Sequence, residues 1–182
     1  MRKAAMERRR EHEERNEQRK LTKEEKAEKR KDKVETDKAN EVQVALFRVA
    51  DLSNYQAKWK IEINAQQLAL TGCALLNDEM NLVVVEGGSK TIKKFVRLMD
   101  HRIDWSAKAE GADDAMDEDE ARPAKANTCH LVWKGVTKAP LFKNFRFETS
   151  KTETAARKHL AQRNCAHYWD LCKNFRPDIT GQ

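Results

Sequence analysis

With 182 residues, a formal net charge of +6 and 36% charged residues, the chain allows one ordinary domain plus extensions. A mean hydropathy of −0.90 is too polar for a single globule throughout, and no stretch approaches the roughly 18 apolar residues of a membrane span. The charge is uneven: between residues 107 and 126 seven acids face three bases, which leaves +10 elsewhere and suits a polyanionic partner, nucleic acid before an anionic membrane.

Residues 1–38 carry fifteen Lys/Arg and eleven Asp/Glu, with Met6, Leu21 and Val34 as the only large apolar side chains after Met1. Helix formers dominate, and Glu11–Arg15 and Glu25–Lys29 stand in the favourable i,i+4 order. Thr22 with Glu25 forms a capping box from which a helix restarts near Lys23. Arg8, Arg15, Arg19, Lys23, Lys26, Arg30 and Lys33 recur at spacings of three, four or seven. In one long charged helix they form a basic stripe; the alternative is a solvated charge run without fixed structure. The lack of an apolar seam disfavours a coiled coil.

From Glu41 the texture changes. Val42, Val44, Leu46, Phe47 and Val49 read as extended, and Ser53-Asn54 reads as a turn. Trp59, Ile61 and Ile63 alternate with Lys58, Lys60 and Glu62, so residues 41–67 are expected to form an extended connecting segment, with a short helical turn near Ala65. Leu70 to Leu76 reads as a strand that turns at Asn77-Asp78-Glu79 into Leu82-Val83-Val84-Val85. That unbroken apolar run fits a strand buried on both faces. Gly87 and Gly88 end it and Ser89 is placed to cap a helix. Ile92, Phe95, Val96, Met99 and Ile103 make the apolar stripe of that helix, and Lys90, Lys93, Lys94, Arg97 and His101 its basic outer face.

Residues 107–126 have nothing to bury and are expected to be a disordered loop. Strands follow at Cys129–Lys134 and Phe142–Glu148, then a helix from Thr152 to Arg163 that Asn164 ends in the left-handed conformation, then a short helix over Ala166–Lys173. After residue 68 the order is β-β-α-β-β-α. The expected fold is α+β: a ferredoxin-like four-stranded antiparallel sheet with both helices on one face, the other face being open to a ligand or to residues 42–63. The domains are then 1–40, a charged basic helical segment; 41–67, the connecting segment; and 68–182, the ferredoxin-like domain.

Chemistry-bearing patterns are few. Glu86-Gly-Gly-Ser-Lys invites comparison with a phosphate loop, but lacks the GxxxxGK[ST] spacing, and a plain strand-to-helix turn is the better reading. The five histidines have no zinc-ligand spacing with each other or with the cysteines, and no catalytic triad stands out, so no catalytic residue, metal or cofactor is expected. The four cysteines form no CxxC pair and read as buried reduced thiols of a cytosolic or nuclear protein. His167, Tyr168, Trp169, Trp59, Trp105 and Trp133 are candidates either to stack on bases or to fill the core.

Ordered motifs then point to a family. They are Leu-Thr-Lys-Glu-Glu at 21–25, Phe-Arg-Val-Ala-Asp-Leu-Ser-Asn at 47–54 and Asn-Ala-Gln-Gln-Leu-Ala-Leu-Thr-Gly at 64–72. Val-Val-Val-Glu-Gly-Gly at 83–88, Arg-Leu-Met-Asp-His-Arg-Ile-Asp-Trp at 97–105, Leu-Val-Trp-Lys-Gly at 131–135 and Ala-His-Tyr-Trp-Asp at 166–170 complete the series. Together they closely resemble the C-terminal half of the pre-mRNA processing factor three family, components of the U4/U6 small nuclear ribonucleoprotein. Ser89 stands where that family often has proline, and Trp59 where phenylalanine is usual. The resemblance implies a nuclear, non-enzymatic spliceosomal scaffold whose basic helical segment holds the U4/U6 snRNA duplex. Its ferredoxin-like domain binds adjacent single-stranded U6 RNA, with contacts to other tri-snRNP proteins and no membrane or small-molecule substrate. Functions that larger relatives house in a long N-terminal region are not expected of this stretch. The candidate RNA-binding residues are the seven cations of the stripe, Lys90, Lys94 and Arg97 on the helix after the glycines, and His167 and Tyr168. Two other classes compete: a protein-binding scaffold without RNA contact, and an enzyme handling phosphates at Glu86–Lys90.

Overall fold

The computed structural model describes residues 2–20, 22–106 and 127–177. Two charged helices come first, α1 (Arg2–Gln18) and α2 (Lys23–Asn40). Thr22 caps α2: its hydroxyl accepts from the Glu25 amide at 3.2 Å, and the Glu25 carboxylate accepts from the Thr22 amide at 2.8 Å. This is the reciprocal box the sequence predicts. A capping residue must leave helical geometry, and Thr22 does so at φ −60°, ψ 165°. The long charged helix is therefore two helices separated by a turn, because the cap that starts α2 also breaks the rod.

The expected connecting segment is instead the start of the fold. β1 (Val42–Val49) pairs with neighbours on both sides. Asn54 then caps α3 (Tyr55–Gln67), its side-chain oxygen accepting from the amides of Gln56 at 2.8 Å and Ala57 at 3.4 Å. The alternation at 58–63 is a local coincidence. Ala57, Ile61 and Ala65, four residues apart, are the positions that α3 buries, and Trp59 stays 52% exposed.

The remaining elements are β2 (Thr71–Leu76), β3 (Asn81–Gly87), α4 (Ser89–Arg97), a π-helical extension over Leu98–Arg102, β4 (Cys129–Thr137), β5 (Phe145–Thr149), α5 (Glu153–Ala161) and α6 (His167–Asn174). The sheet order is β4-β1-β3-β2-β5. From β1 to β4 the chain runs β-α-β-β-α-β with antiparallel neighbours, the ferredoxin-like arrangement. β5 then adds to the outer edge of β2 in parallel. The α+β class stands as expected, while the expected sheet of four antiparallel strands is, among the described residues, a mixed sheet of five. The first strand and first helix come from residues assigned above to the connector.

Helices cover both faces of this sheet rather than one. On the first face Ala45, Phe47, Val83 and Val85 pack with Ala57 and Ile61 of α3 and with Ile92 and Phe95 of α4. On the second, Val44, Leu46, Leu82 and Val84 pack with Ala156 and Leu160 of α5 and with Tyr168, Trp169 and Cys172 of α6. Alternate residues of β3 thus enter different cores, which is why Leu82–Val85 is apolar without a break. The second face is consequently not open to a ligand. Thr152 caps α5 by accepting from the Ala155 amide at 3.2 Å, and Asn164 takes the expected left-handed conformation at φ 57°. The loop expected at 107–126 lies outside the described residues.

Glu86 is a buried carboxylate, 0% exposed, at the end of β3. Its Oε2 accepts from the amides of Leu141 at 2.9 Å and Phe142 at 3.1 Å, and from the Thr71 hydroxyl at 3.4 Å. It thereby ties the β4–β5 connection to the central strand. Burial pushes its pKa above the usual 4.5, and those amides oppose the rise. An acid whose pKa is raised on folding adds stability below its unfolded pKa and loses it as pH rises through the folded value. Melting midpoints of wild type and Glu86→Gln should therefore diverge most at acid pH. The wild-type advantage is expected to shrink as pH rises from about 4.5; a pH-independent difference would contradict this account.

The four cysteines are all reduced. Burial pushes the thiols of Cys73, Cys129 and Cys172 up to about 12 and that of Cys165 to about 11, so they act as small core groups rather than nucleophiles.

Candidate functional site

α4 buries Ile92 and Phe95 and turns Lys90, Lys93, Lys94 and Arg97 outward. Its first turn lacks a local cap. Gly88 is the N-cap and has no side chain, and Ser89, expected to cap, lies one residue inside the helix. An uncapped first turn leaves amide donors without intrahelical partners. One of them, the Lys90 amide, donates to Oδ2 of Asp37 at 2.9 Å, so the acceptor comes from α2.

That contact brings the basic stripe to the domain. Lys26, Arg30, Lys33 and Asp37 follow each other at three- and four-residue steps and so share one face of α2. Most of α2 is exposed, but Val34, Asp37 and Lys38 are half-buried where the helix meets the domain. Between α2 and α4 lies a cavity of about 530 Å³. Arg30, Asp32, Lys33, Val34, Thr36 and Asp37 line it from α2, Gln67 and Leu68 from the end of α3, and Lys90, Thr91 and Lys94 from α4. Four cations thus face Asp32 and Asp37, and the Asp37 carboxylate is already engaged at the start of α4. A concave site with this balance suits an anionic chain whose phosphates are several ångströms apart.

The other candidates fall at varying distances from this cleft. Lys23 and Lys26 continue the α2 face toward its N-terminus, and Arg97 continues the α4 face three residues past Lys94. Arg19 lies in the turn between the helices, and Arg8 and Arg15 lie on α1, with Arg15 3.9 Å from Glu11 in an exposed pair. Such pairs contribute little and open readily to another anion. His167 and Tyr168 are on α6, across the sheet from α4. Tyr168 is 2% exposed, its ring 5.9 Å from that of Trp133 and 4.5 Å from that of exposed His167. Its ring is thus a core surface against which His167 and Trp133 are set. These two line an open groove of about 430 Å³ with Val132, Asp170, Leu171, Asn174 and Phe175. The structure therefore unites Arg30, Lys33, Lys90 and Lys94 and keeps the α6 aromatics apart from them.

Two features escaped sequence reasoning. Asp37 ends the basic stripe with an acid four residues after Lys33, a visible irregularity whose target is not visible. Tyr55, 77% exposed, precedes Trp59 by one turn on the outer face of α3, a pair hidden while that stretch reads as extended. The comparison with a phosphate loop also meets an answer here. The α4 N-terminus holds the Asp37 carboxylate, and Glu86 is buried against Leu141 and Phe142.

Comparison with known proteins adds the family context. The family model for the C-terminal domain of the small nuclear ribonucleoprotein Prp3 matches residues 45–172. Protein RDM16 of Arabidopsis thaliana is 40% identical over 179 residues, which are 98% of this chain and 22% of RDM16. The U4/U5/U6 small nuclear ribonucleoprotein prp3 of Schizosaccharomyces pombe is 37% identical over 186 residues, 98% of this chain and 34% of that protein. The chain spans about a fifth to a third of the length of these curated relatives. Solved structures that it resembles, such as the dark state of the BLUF protein BlrB (TM-score 0.43, 15% identity, 73% of this chain and 97% of that one), are too distant to inform its function.

Proposed function

Because the chain belongs to the Prp3 C-terminal domain family, we propose that it is a nuclear, non-enzymatic RNA-binding scaffold of the spliceosome. It holds the U4/U6 snRNA duplex along the cations of α1 and α2. It receives the adjoining single-stranded U6 RNA on the ferredoxin-like domain, and with other snRNP proteins helps hold the U4/U6.U5 tri-snRNP together for pre-mRNA splicing. The observation that carries this reading is the cleft in which Arg30 and Lys33 of α2 face Lys90 and Lys94 of α4. A backbone leaving a duplex on α2 meets the domain's own cations there, in a cleft where four cations outnumber Asp32 and Asp37. A phosphodiester chain needs that continuity, because its affinity comes mainly from successive phosphate contacts. Beyond the cleft, Arg97 extends the cationic face and exposed Trp59 and Tyr55 on α3 offer rings to unpaired bases. On the far side of the sheet, His167, backed by Tyr168, offers a further ring.

Binding of the chain to an RNA duplex should weaken steeply with salt. Each phosphate neutralised contributes about −0.9 to the slope of log K against log salt, the value for a B-form duplex. Titrations between low and physiological salt, on a blunt duplex and on the same duplex with a 3′ overhang, provide the check. The expected results are a slope of about −3 or steeper and tighter binding to the overhang substrate. A slope near zero sinks the RNA reading.

A further inference from the structure

The junction between α2 and α4 is built around Asp37 in a way that bears on how the two RNA-binding parts act together. The Lys90 amide belongs to the first turn of α4, where a helix needs an acceptor that its own backbone cannot supply. Asp37 provides it from another helix, at 2.9 Å. A carboxylate at that end of a helix is also favoured by the helix dipole. Gly88 makes the approach possible: a Cβ there would stand 2.2 Å from Asp37 Oδ2 and 2.8 Å from the Asp37 carbonyl carbon. The φ of Gly88 is −70°, open to any residue, so what this glycine provides is space for α2. Asp37 also sits on the same face of α2 as Arg30 and Lys33, so its bond to α4 determines which way those cations point.

We propose that Asp37 is a positioning residue that holds α2 against the α4 N-terminus, so that Arg30 and Lys33 share one phosphate-binding cleft with Lys90 and Lys94. The inference rests on the RNA reading above and deepens it. The ligand is a single polynucleotide whose duplex part lies on α2 and whose unpaired continuation enters the domain. Without the Asp37 bond each half keeps its own cations, but the helix no longer presents them in register with those of α4. What disappears is the advantage of binding both parts of one ligand at once, an effective-concentration effect that depends on geometry.

The test uses the full chain as wild type, Asp37→Ala and Asp37→Asn. Asparagine keeps a side-chain oxygen able to cap. Amide exchange at Lys90 reads the Asp37 bond without RNA, and affinities are measured for a blunt duplex, a single strand, and that duplex carrying the strand as a 3′ overhang. In Asp37→Ala, Lys90 exchange should speed up with the melting midpoint little changed. Compared with Asp37→Asn, which carries the same charge, its affinity for the joined RNA should be about fivefold lower, the scale of removing one N-cap, while the two variants bind the separate duplex and the separate strand equally. Asp37→Asn should restore most of both effects. Equal affinity of the two variants for the joined RNA despite faster Lys90 exchange in Asp37→Ala overturns the proposal and leaves the RNA reading standing. Tighter binding of the joined RNA by Asp37→Ala than by Asp37→Asn overturns it too, since the acceptor for the Lys90 amide would then not favour the joined ligand. If wild type binds none of the three RNAs, the RNA reading itself fails and takes this inference with it. The Lys90 exchange rates then report only a structural bond.

Discussion

Phe95→Ala is expected to lower the stability of the chain by about 3–5 kcal/mol, the range for deleting a buried aromatic side chain. Phe95 is 0% exposed, on the face of α4 that meets the sheet, and its ring stands edge-on to that of Phe47 at 6.0 Å. Phe47 belongs to β1, which lies between β3 and β4. The cavity left by alanine would open between the central strands and the helix that carries Lys90 and Lys94. Ile92 and Met99 on the same helical stripe are fully buried and have little room to fill it. Urea unfolding followed by fluorescence measures the effect, and the variant should lose RNA binding in step with its folded fraction. A loss below about 1 kcal/mol, ordinary for a surface substitution, would mean that α4 is not packed as described.

The charge-reversed variant Arg19→Glu, Lys26→Glu, Arg30→Glu should behave in the opposite manner, folded but impaired. These side chains are exposed, and neither the Thr22–Glu25 capping box nor Asp37 is touched. The melting midpoint should therefore stay close to that of wild type. The substitutions change the formal charge by −6 and bring the chain from +6 to zero. On a blunt RNA duplex we expect affinity to fall about a hundredfold or more at low salt, with the salt slope flatter by about one for each phosphate no longer neutralised. Arg30 also lines the cleft, so the overhang substrate should suffer as well. Its unpaired strand should retain weaker binding through Lys90, Lys94 and Arg97. If the variant binds the blunt duplex as well as wild type, α2 does not hold the duplex and the proposed division of labour is wrong.

Much of the local structure was legible because its causes are local. The box at Thr22 and Glu25 and the left-handed Asn164 each involve residues within a few positions of one another. Side chains that close find the same partners whatever the rest of the chain does. The α4 stripe was legible for a related reason, since its 3.6-residue period is clear of any competing one. α3 was not, because residues 58–63 satisfy a period of two on the surface while Ala57, Ile61 and Ala65 satisfy a helical one underneath. Alanine weighs little in a hydrophobic pattern but fits closely beneath a helix, so the informative positions were the quiet ones. Misreading α3 moved the start of the fold and shifted every later strand by one place in the topology.

The sequence by itself determined the class of the domain, the family and the inventory of cations that a polyanion would meet. These depend on composition, order and short-range spacing, which the chain carries openly. Which cations lie together was decided by tertiary structure alone. Arg30 and Lys33 are some sixty residues from Lys90 and Lys94, and they share a cleft because Asp37 meets an uncapped helix start beside a glycine that leaves room for it. His167 and Tyr168 are part of the same inventory, yet α6 packs on the other face of the sheet and separates them from that cleft. The physical reason is that the sheet has two apolar faces to bury. Assigning each helix to one of them depends on long-range packing, for which no residue carries a local mark.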